Sequence, residues 1–200
     1  MSASAVIRDM EALVDLFLSP NFHPFMPETP ETESRTIHTG NNGLHNMVYE
    51  ADVEEDDEED DDFRKHCGQV LARMGDEFYN STKPNVSSDP PWLSISERLK
   101  DILYKVTKID DTDPNYEEEK EKAWNDYRDI MYKSVSDNVV GDVYKQLGAL
   151  LLTLKGLSTM AVGVKGLAHV FFIRYIRDRQ IDKQMQQLGG LNHLISQEVD

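Results

Sequence analysis

Cys67, Leu71, Met74 and Phe78 recur at i, i+4, i+7 and i+11, and Phe63 lies one turn earlier on the same line. At the helical period these apolar side chains share one face. Gly75 and Asp76 follow Met74 directly. The glycine lets another helix or a groove wall come close, and the acid sets one charge beside the apolar line. Apolar anchors, a small residue and a single carboxylate on one helix suit recognition, with the helix entering an apolar groove. Bond-making chemistry has no comparable set. The six histidines, His23, His38, His45, His66, His169 and His193, are scattered, and none sits at a spacing such as His-Glu-x-x-His. There is no Gly-rich phosphate loop and no nucleophile elbow. Cys67 has only His66 beside it, on a different helix face. Catalysis, a metal centre and a cofactor are therefore not expected.

The anchor line predicts a helix over 63–80. Before it, residues 1–19 hold a first helix, Ala5 to Leu18, with Val6, Met10, Leu13 and Phe17 on one stripe and Ser19-Pro20 as the stop. Residues 20–62 read as a disordered loop. Pro20, Pro24, Pro27 and Pro30 recur, polar residues follow, and the segment closes on the acidic run from Glu50 to Asp62. That run reads as a solvated, self-repelling linker. No glycine or turn fixes its carboxylates as a calcium loop requires. A second reading is a protease-sensitive loop: Tyr49-Glu50-Ala51-Asp52 and Asp57-Glu58-Glu59-Asp60 resemble caspase recognition sequences, with cleavage after Asp52 or Asp60.

Residues 63–195 read as a helical bundle. Ser94-Ile95-Ser96-Glu97 has the form of a capping box, with Ser94 as N-cap, opening a helix that carries Leu99, Ile102, Leu103 and Val106. Tyr116 to Ser134 predicts another helix with Trp124, Tyr127, Ile130 and Met131 inward. Val139 to Ile176 is the most apolar stretch. It predicts two helices broken at Gly156–Ser158, forming a central apolar hairpin in which Gly163 and Gly166 allow tight packing. A last helix, Gln180 to Leu188, ends at Gly189-Gly190. Arg174, Arg177, Arg179 and Lys183 form a basic cluster, read either as a solvated face or as contact with an anionic membrane.

The 37 acidic residues outnumber the 21 basic ones, for a formal net charge of −16, so nucleic acid is not an expected partner. A single cysteine permits no internal disulfide, which suits a reducing compartment. No signal peptide and no uncharged apolar run of the ~20 residues needed to span a bilayer are read from the chain. A cytoplasmic protein is the expectation.

The pattern Cys67-x-x-x-Leu71-x-x-Met74-Gly75-Asp76-x-Phe78 resembles the third homology motif, the death motif, of the Bcl-2 family. That motif has the form apolar-x-x-x-Leu-x-x-apolar-Gly-Asp-x-apolar, and every position is filled over about one helix. The order of elements is similar to the whole Bcl-2 fold: short first helix, long acidic loop, death motif, then helices around an apolar hairpin. The resemblance implies an all-α, pro-apoptotic regulator of mitochondrial outer-membrane permeabilisation. It further implies a latent cytosolic form, release by caspase cleavage in the loop, and reversible contact with the mitochondrial outer membrane. The implied partners are pro-survival and Bax/Bak-like members of the family. Two departures stand out. Asn138-Val139-Val140-Gly141-Asp142-Val143 lacks the Trp and Arg of the first homology motif, and Gly189-Gly190-Leu191 lacks the Trp of the second. The first departure argues against a groove that accepts partner helices, although Gly189-Gly190 and the apolar hairpin leave a multi-motif family member as the alternative.

Overall fold

The computed structural model describes residues 3–25, 55–82, 90–136 and 142–196. Every regular element among them is helical: α1 Ala3–Leu18, α2 Glu55–Thr82, α3 Pro91–Val106, α4 Tyr116–Met131 with a π turn Tyr132–Ser136, α5 Val143–Lys155, α6 Val162–Asp178, α7 Ile181–Leu188 and α8 Leu191–Ser196. The all-α class expected from periodicity is thus observed.

The centre is α5. Asp142 caps it by accepting from the backbone N–H groups of Tyr144 and Lys145, both at 3.1 Å. Leu147, Ala149, Leu150, Leu151, Leu152 and Leu154 are all buried, so this helix is apolar around its whole circumference. α2 packs on it most closely, and α1, α3 and α7 complete the enclosure. Two polar groups inside are satisfied locally. Ser96 Oγ donates to the Thr153 carbonyl at 2.7 Å, tying α3 to α5, and Thr153 Oγ1 donates to the Leu150 carbonyl at 2.6 Å.

The central hairpin is a single central helix instead. α6 packs on α1, α3, α4 and α7. It keeps an open face on which Val162 is 82% and Val170 57% exposed. Gly163 and Gly166 fall on that face: a side-chain carbon at Gly166 would meet nothing within 4 Å. Apolar composition overstates the burial of α6, because Val162, Val170 and its glycines line up with Arg174 and Arg177 toward water, while Val164 is buried. Its inner face is well filled, with Phe171 edge-on to Trp124 and to Tyr127 of α4, each at 5.5 Å between centroids.

Other boundaries differ from expectation for identifiable reasons. α3 begins at Pro91, whose missing N–H costs nothing in the first turn, and Ser94 Oγ donates to the Pro91 carbonyl instead of capping. α4 stops at Met131 and gives way to the π turn. The loop assigned to 20–62 is ordered at both described ends. Residues 19–25 fold back with Phe22 buried, and α2 starts at Glu55, inside the acidic run. Acidic residues suit the positive end of a helix. Asp60 and Asp61 pair with Arg64 at 3.2 and 3.6 Å, and Asp62 pairs with Lys65 at 3.3 Å. At the far end Gly189 and Gly190 both take positive φ, close α7 and lead into α8, where Leu191 and Leu194 are buried. That pair is a helix cap, and a short helix follows it.

Between α6 and α7, Gln180 holds φ 56°, a left-handed conformation that costs a residue with a side chain roughly 1–2 kcal/mol. Gln180→Gly should raise the unfolding free energy by about 1 kcal/mol after glycine's extra chain entropy. Urea denaturation at neutral pH checks this, and an unchanged midpoint would contradict it.

Candidate functional site: the inner face of α2

Placed in three dimensions, the recognition residues lie on the inner side of α2. Cys67, Leu71 and Phe78 are buried, and Met74 and Phe63 are partly buried against the same core. Gly75 is also buried. Val70, Ala72 and Tyr79 share this environment, although the anchor line did not include them. Tyr79 Oη donates to the Ala149 carbonyl of α5 at 3.3 Å, and burial pushes its hydroxyl well above the ordinary tyrosine range. The signal for these extra residues lay in the small side chains: Gly68, Ala72 and Gly75 recur at i, i+4 and i+7 and mark the axis of close approach.

Gly75 lies directly on Gly148 of α5. A side-chain carbon on Gly75 would come within 2.5 Å of the Gly148 carbonyl carbon. One on Gly148 would run into the Leu71 carbonyl oxygen. Each glycine therefore makes room for the other helix's backbone, and the whole of Leu71–Phe78 is seated on α5. Gly68, two turns earlier, serves a different neighbour: Leu16 and Phe17 of α1, and Phe22 beyond it.

Asp76 sits at the edge of this contact, half-buried, and accepts from Asn80 Nδ2 at 2.9 Å. Its partner is thus its own helix, one turn on. The carboxylate stays at the protein surface.

The remaining expected sites fare differently. Asp60 lies in the first turns of α2, exposed and paired with Arg64. A helical, paired aspartate is a poor protease site, since nicking favours exposed loop tips. Asp52 lies outside the described residues, as do His38 and His45. Arg174 is not a loose surface cation: it makes a bidentate pair with Glu121 at 2.8 and 2.9 Å and lies 4.3 Å over the Trp124 ring. Arg179 lies 4.7 Å over Tyr132. Arg177 borders a cleft of about 390 Å³ with Glu11 and Asp178, and Lys183 is exposed. Two of the four cations are therefore already engaged in holding helices together.

His169 reaches Asp15 at 2.9 Å, linking α6 to α1, and His193 lies near the Tyr144 ring. Among the described residues no three His, Cys, Asp or Glu side chains are grouped to hold a metal. No described helix is long and apolar enough to cross a membrane. Comparison with protein-family models, with curated proteins and with solved structures finds no match.

Two sets of variants follow from this geometry. Gly148→Ala should destabilise the protein by about 2–3 kcal/mol, because the rigid α2 backbone must retreat. Gly166→Ala, in open space, should stabilise it by about 0.5–1 kcal/mol. Equal effects of the two on the urea midpoint would refute the close approach. The second set concerns Glu121, whose carboxyl the Arg174 hydrogen bond holds below its ordinary value of 4.5. A depressed acid stabilises the fold at higher pH, and that contribution is lost as pH falls through the lowered value. Glu121→Gln should therefore be less stable than wild type at neutral pH, with the gap closing as the pH drops well below 4.5. A gap that stays constant across an acid titration of the urea midpoint would exclude this pair as its source.

Proposed function

We propose that this chain is a latent, Bid-like death ligand of the Bcl-2 family. In this reading α2 carries the death motif and is stored against α5. Once released, it presents Leu71, Met74 and Phe78 to the groove of a pro-survival or Bax/Bak-like protein, with Asp76 facing a cation on the groove rim. The observation that carries the proposal is the seating of Gly75 on Gly148, flanked by the buried Leu71 and Phe78. The residues that a groove ligand needs are the ones this chain already occupies with its own central helix.

The energetics favour storage over open presentation. Each fully buried anchor is worth ~1.5–3 kcal/mol, and the same anchors must leave α5 before they enter a groove. Release that costs about 4 kcal/mol lowers the apparent affinity of the intact chain roughly a thousandfold, since only the released fraction binds. A cytosolic resting form, a caspase cut near Asp52, and movement of the cut protein to the mitochondrial outer membrane complete the proposal. Within the cluster of Arg174, Arg177, Arg179 and Lys183, Arg177 and Lys183 are the two that would meet anionic lipid.

The test is titration of a labelled peptide spanning residues 63–80 into a purified pro-survival Bcl-2 protein, beside the intact chain. The peptide should bind tightly and the intact chain at least about a hundredfold more weakly. Leu71→Ala in the peptide should weaken binding about thirtyfold or more, the loss of one central anchor. Equal binding by the wild-type and Leu71→Ala peptides would end the proposal.

A further inference from the structure

The outer side of α6 is the long apolar face that the bundle leaves bare. Gly166, Val170 and Arg177 are exposed, and at about 100° per residue they fall on one line along the helix. Val162 opens that line and Arg177 closes it, roughly 20 Å apart at about 1.5 Å per residue. Two clefts follow its α1 side and meet at His169. One, of about 350 Å³, holds Asp15 and Lys165 beside Val162 and Gly166. The other, of about 390 Å³, holds Glu11 and Arg177 beside Val170. Each end of the face therefore carries an acid and a cation. Over the whole face Glu11, Asp15 and Asp178 are balanced by Lys165, Arg174 and Arg177, although the chain carries a net charge of −16. Two pairs are already closed here, His169 with Asp15 at 2.9 Å and Arg174 with Glu121 at 2.8 Å. Glu11, Lys165 and Arg177 make no ion pair among the described residues, and the Asp15 side chain is still 71% exposed.

The relief of the face matches its charge. Val170 stands out, 57% exposed. One turn before it Gly166 leaves a hollow, where a side-chain carbon would meet nothing within 4 Å. A two-fold axis passing between these residues sets two α6 helices antiparallel and puts Val170 of each copy over Gly166 of the other. The same operation lays the Asp15–Lys165 end of one copy on the Glu11–Arg177 end of the second. Lys165 then meets Glu11, and Arg177 meets Asp15, each contact occurring twice. Projection to hollow and cation to acid agree in one register, which is the self-complementarity that a two-fold contact requires. We propose that the open face of α6, with the adjoining edge of α1, is a self-association surface on which two copies of this chain pair antiparallel, Val170 of each seated on Gly166 of the other. A strip one helix wide is smaller than the ~800 Å² that each partner gives to a stable interface, so the pair is weak and forms with concentration. α2 is seated on α5 and has no comparable packing on α6, so pairing leaves the Gly75–Gly148 contact as it is. It does cover Arg177, and lipid contact through that residue would require the copies to part. The pairing stands independently of what α2 binds.

The test is sedimentation equilibrium of the intact chain at ~0.15 M salt, where a Debye length of ~8 Å screens the repulsion between two acidic bodies. The average mass should rise from one chain toward two between about 10 and about 500 μM, the range of a small interface. Gly166→Leu fills the hollow and Val170→Glu puts a charge on the projection, and each should weaken pairing about tenfold or more. Both positions face open space, so both variants should keep the wild-type fold, checked by the urea midpoint. Lys165→Glu should weaken pairing about fivefold, since an exposed pair is lost twice across the axis. Glu11→Lys added to Lys165→Glu should restore it. A chain that stays single at every concentration overturns the proposal, as does a dimer that neither Gly166→Leu nor Val170→Glu weakens. A charge swap that fails to restore pairing overturns the antiparallel register. A single chain that instead sediments with vesicles of anionic phospholipid, and loses this with Val170→Glu, would assign the face to lipid and overturn the pairing. A chain that pairs as described while its 63–80 peptide binds nothing keeps this inference and removes the groove-ligand reading.

Discussion

The contact on which most of the molecule depends is the one between two residues without side chains. Where Gly75 meets Gly148, the backbones of α2 and α5 approach more closely than any other residue pair would permit. That approach lets Leu71 on one side and Tyr79 on the other reach across, the latter to the Ala149 carbonyl. It also places α5 deep enough that every side of it is covered. A bundle with ordinary spacing at this point would leave part of α5 wet and would lift the anchors of α2 off their seat. The cost is that neither helix can shift along the other without a backbone collision, which makes the pairing specific in register.

Around this contact the fold divides its labour by chemistry. Apolar packing fixes α2, α5 and the inner face of α6. Charge and aromatic stacking fix the periphery: Arg174 joins α6 to α4 through Glu121 and Trp124, His169 joins α6 to α1 through Asp15, and Lys155 joins α5 to the end of α1. These few cations tie helices together, while most of the other ion pairs of Lys and Arg lie within a single helix. Burial pushes the Lys155 amine below its ordinary value, so holding its charge there is itself a cost of the tie.

Much of this architecture is legible in the residues. The inward sides of α1, α2 and α4 follow from the 3.6-residue period, because each of these helices has one apolar and one polar face. The break at Gly156–Ser158 and the stop at Gly189 follow from local backbone chemistry. The standing of α6 does not, because an apolar sequence can serve an outer helix as well as an inner one, and Val162 and Val170 carry no mark of which they do. The partner of Gly75 could not be read either. A glycine in a helix says that something comes close, and only the tertiary arrangement selects Gly148 over Gly163 or Gly166. The start of α2 was obscured by like charge: thirteen residues rich in Asp and Glu read as repelling chain until Arg64 and Lys65 are counted as their counterions.

α2 is more than twice as long as α5, 28 residues against 13, so at a rise of about 1.5 Å per residue it outreaches its support by roughly 20 Å. The acidic turns 55–62 are about half of that extra length, and the rest, from Phe63 to Gly68, packs on the core and on α1. A long helix anchored at one end behaves as two bodies in series. Its free end is governed by ionic strength and by whatever charge approaches it, and its seated end by packing alone. Loss of the acidic turns as far as Phe63 would leave the seat at Gly75 in place, so the length of this helix and its position are set by different forces.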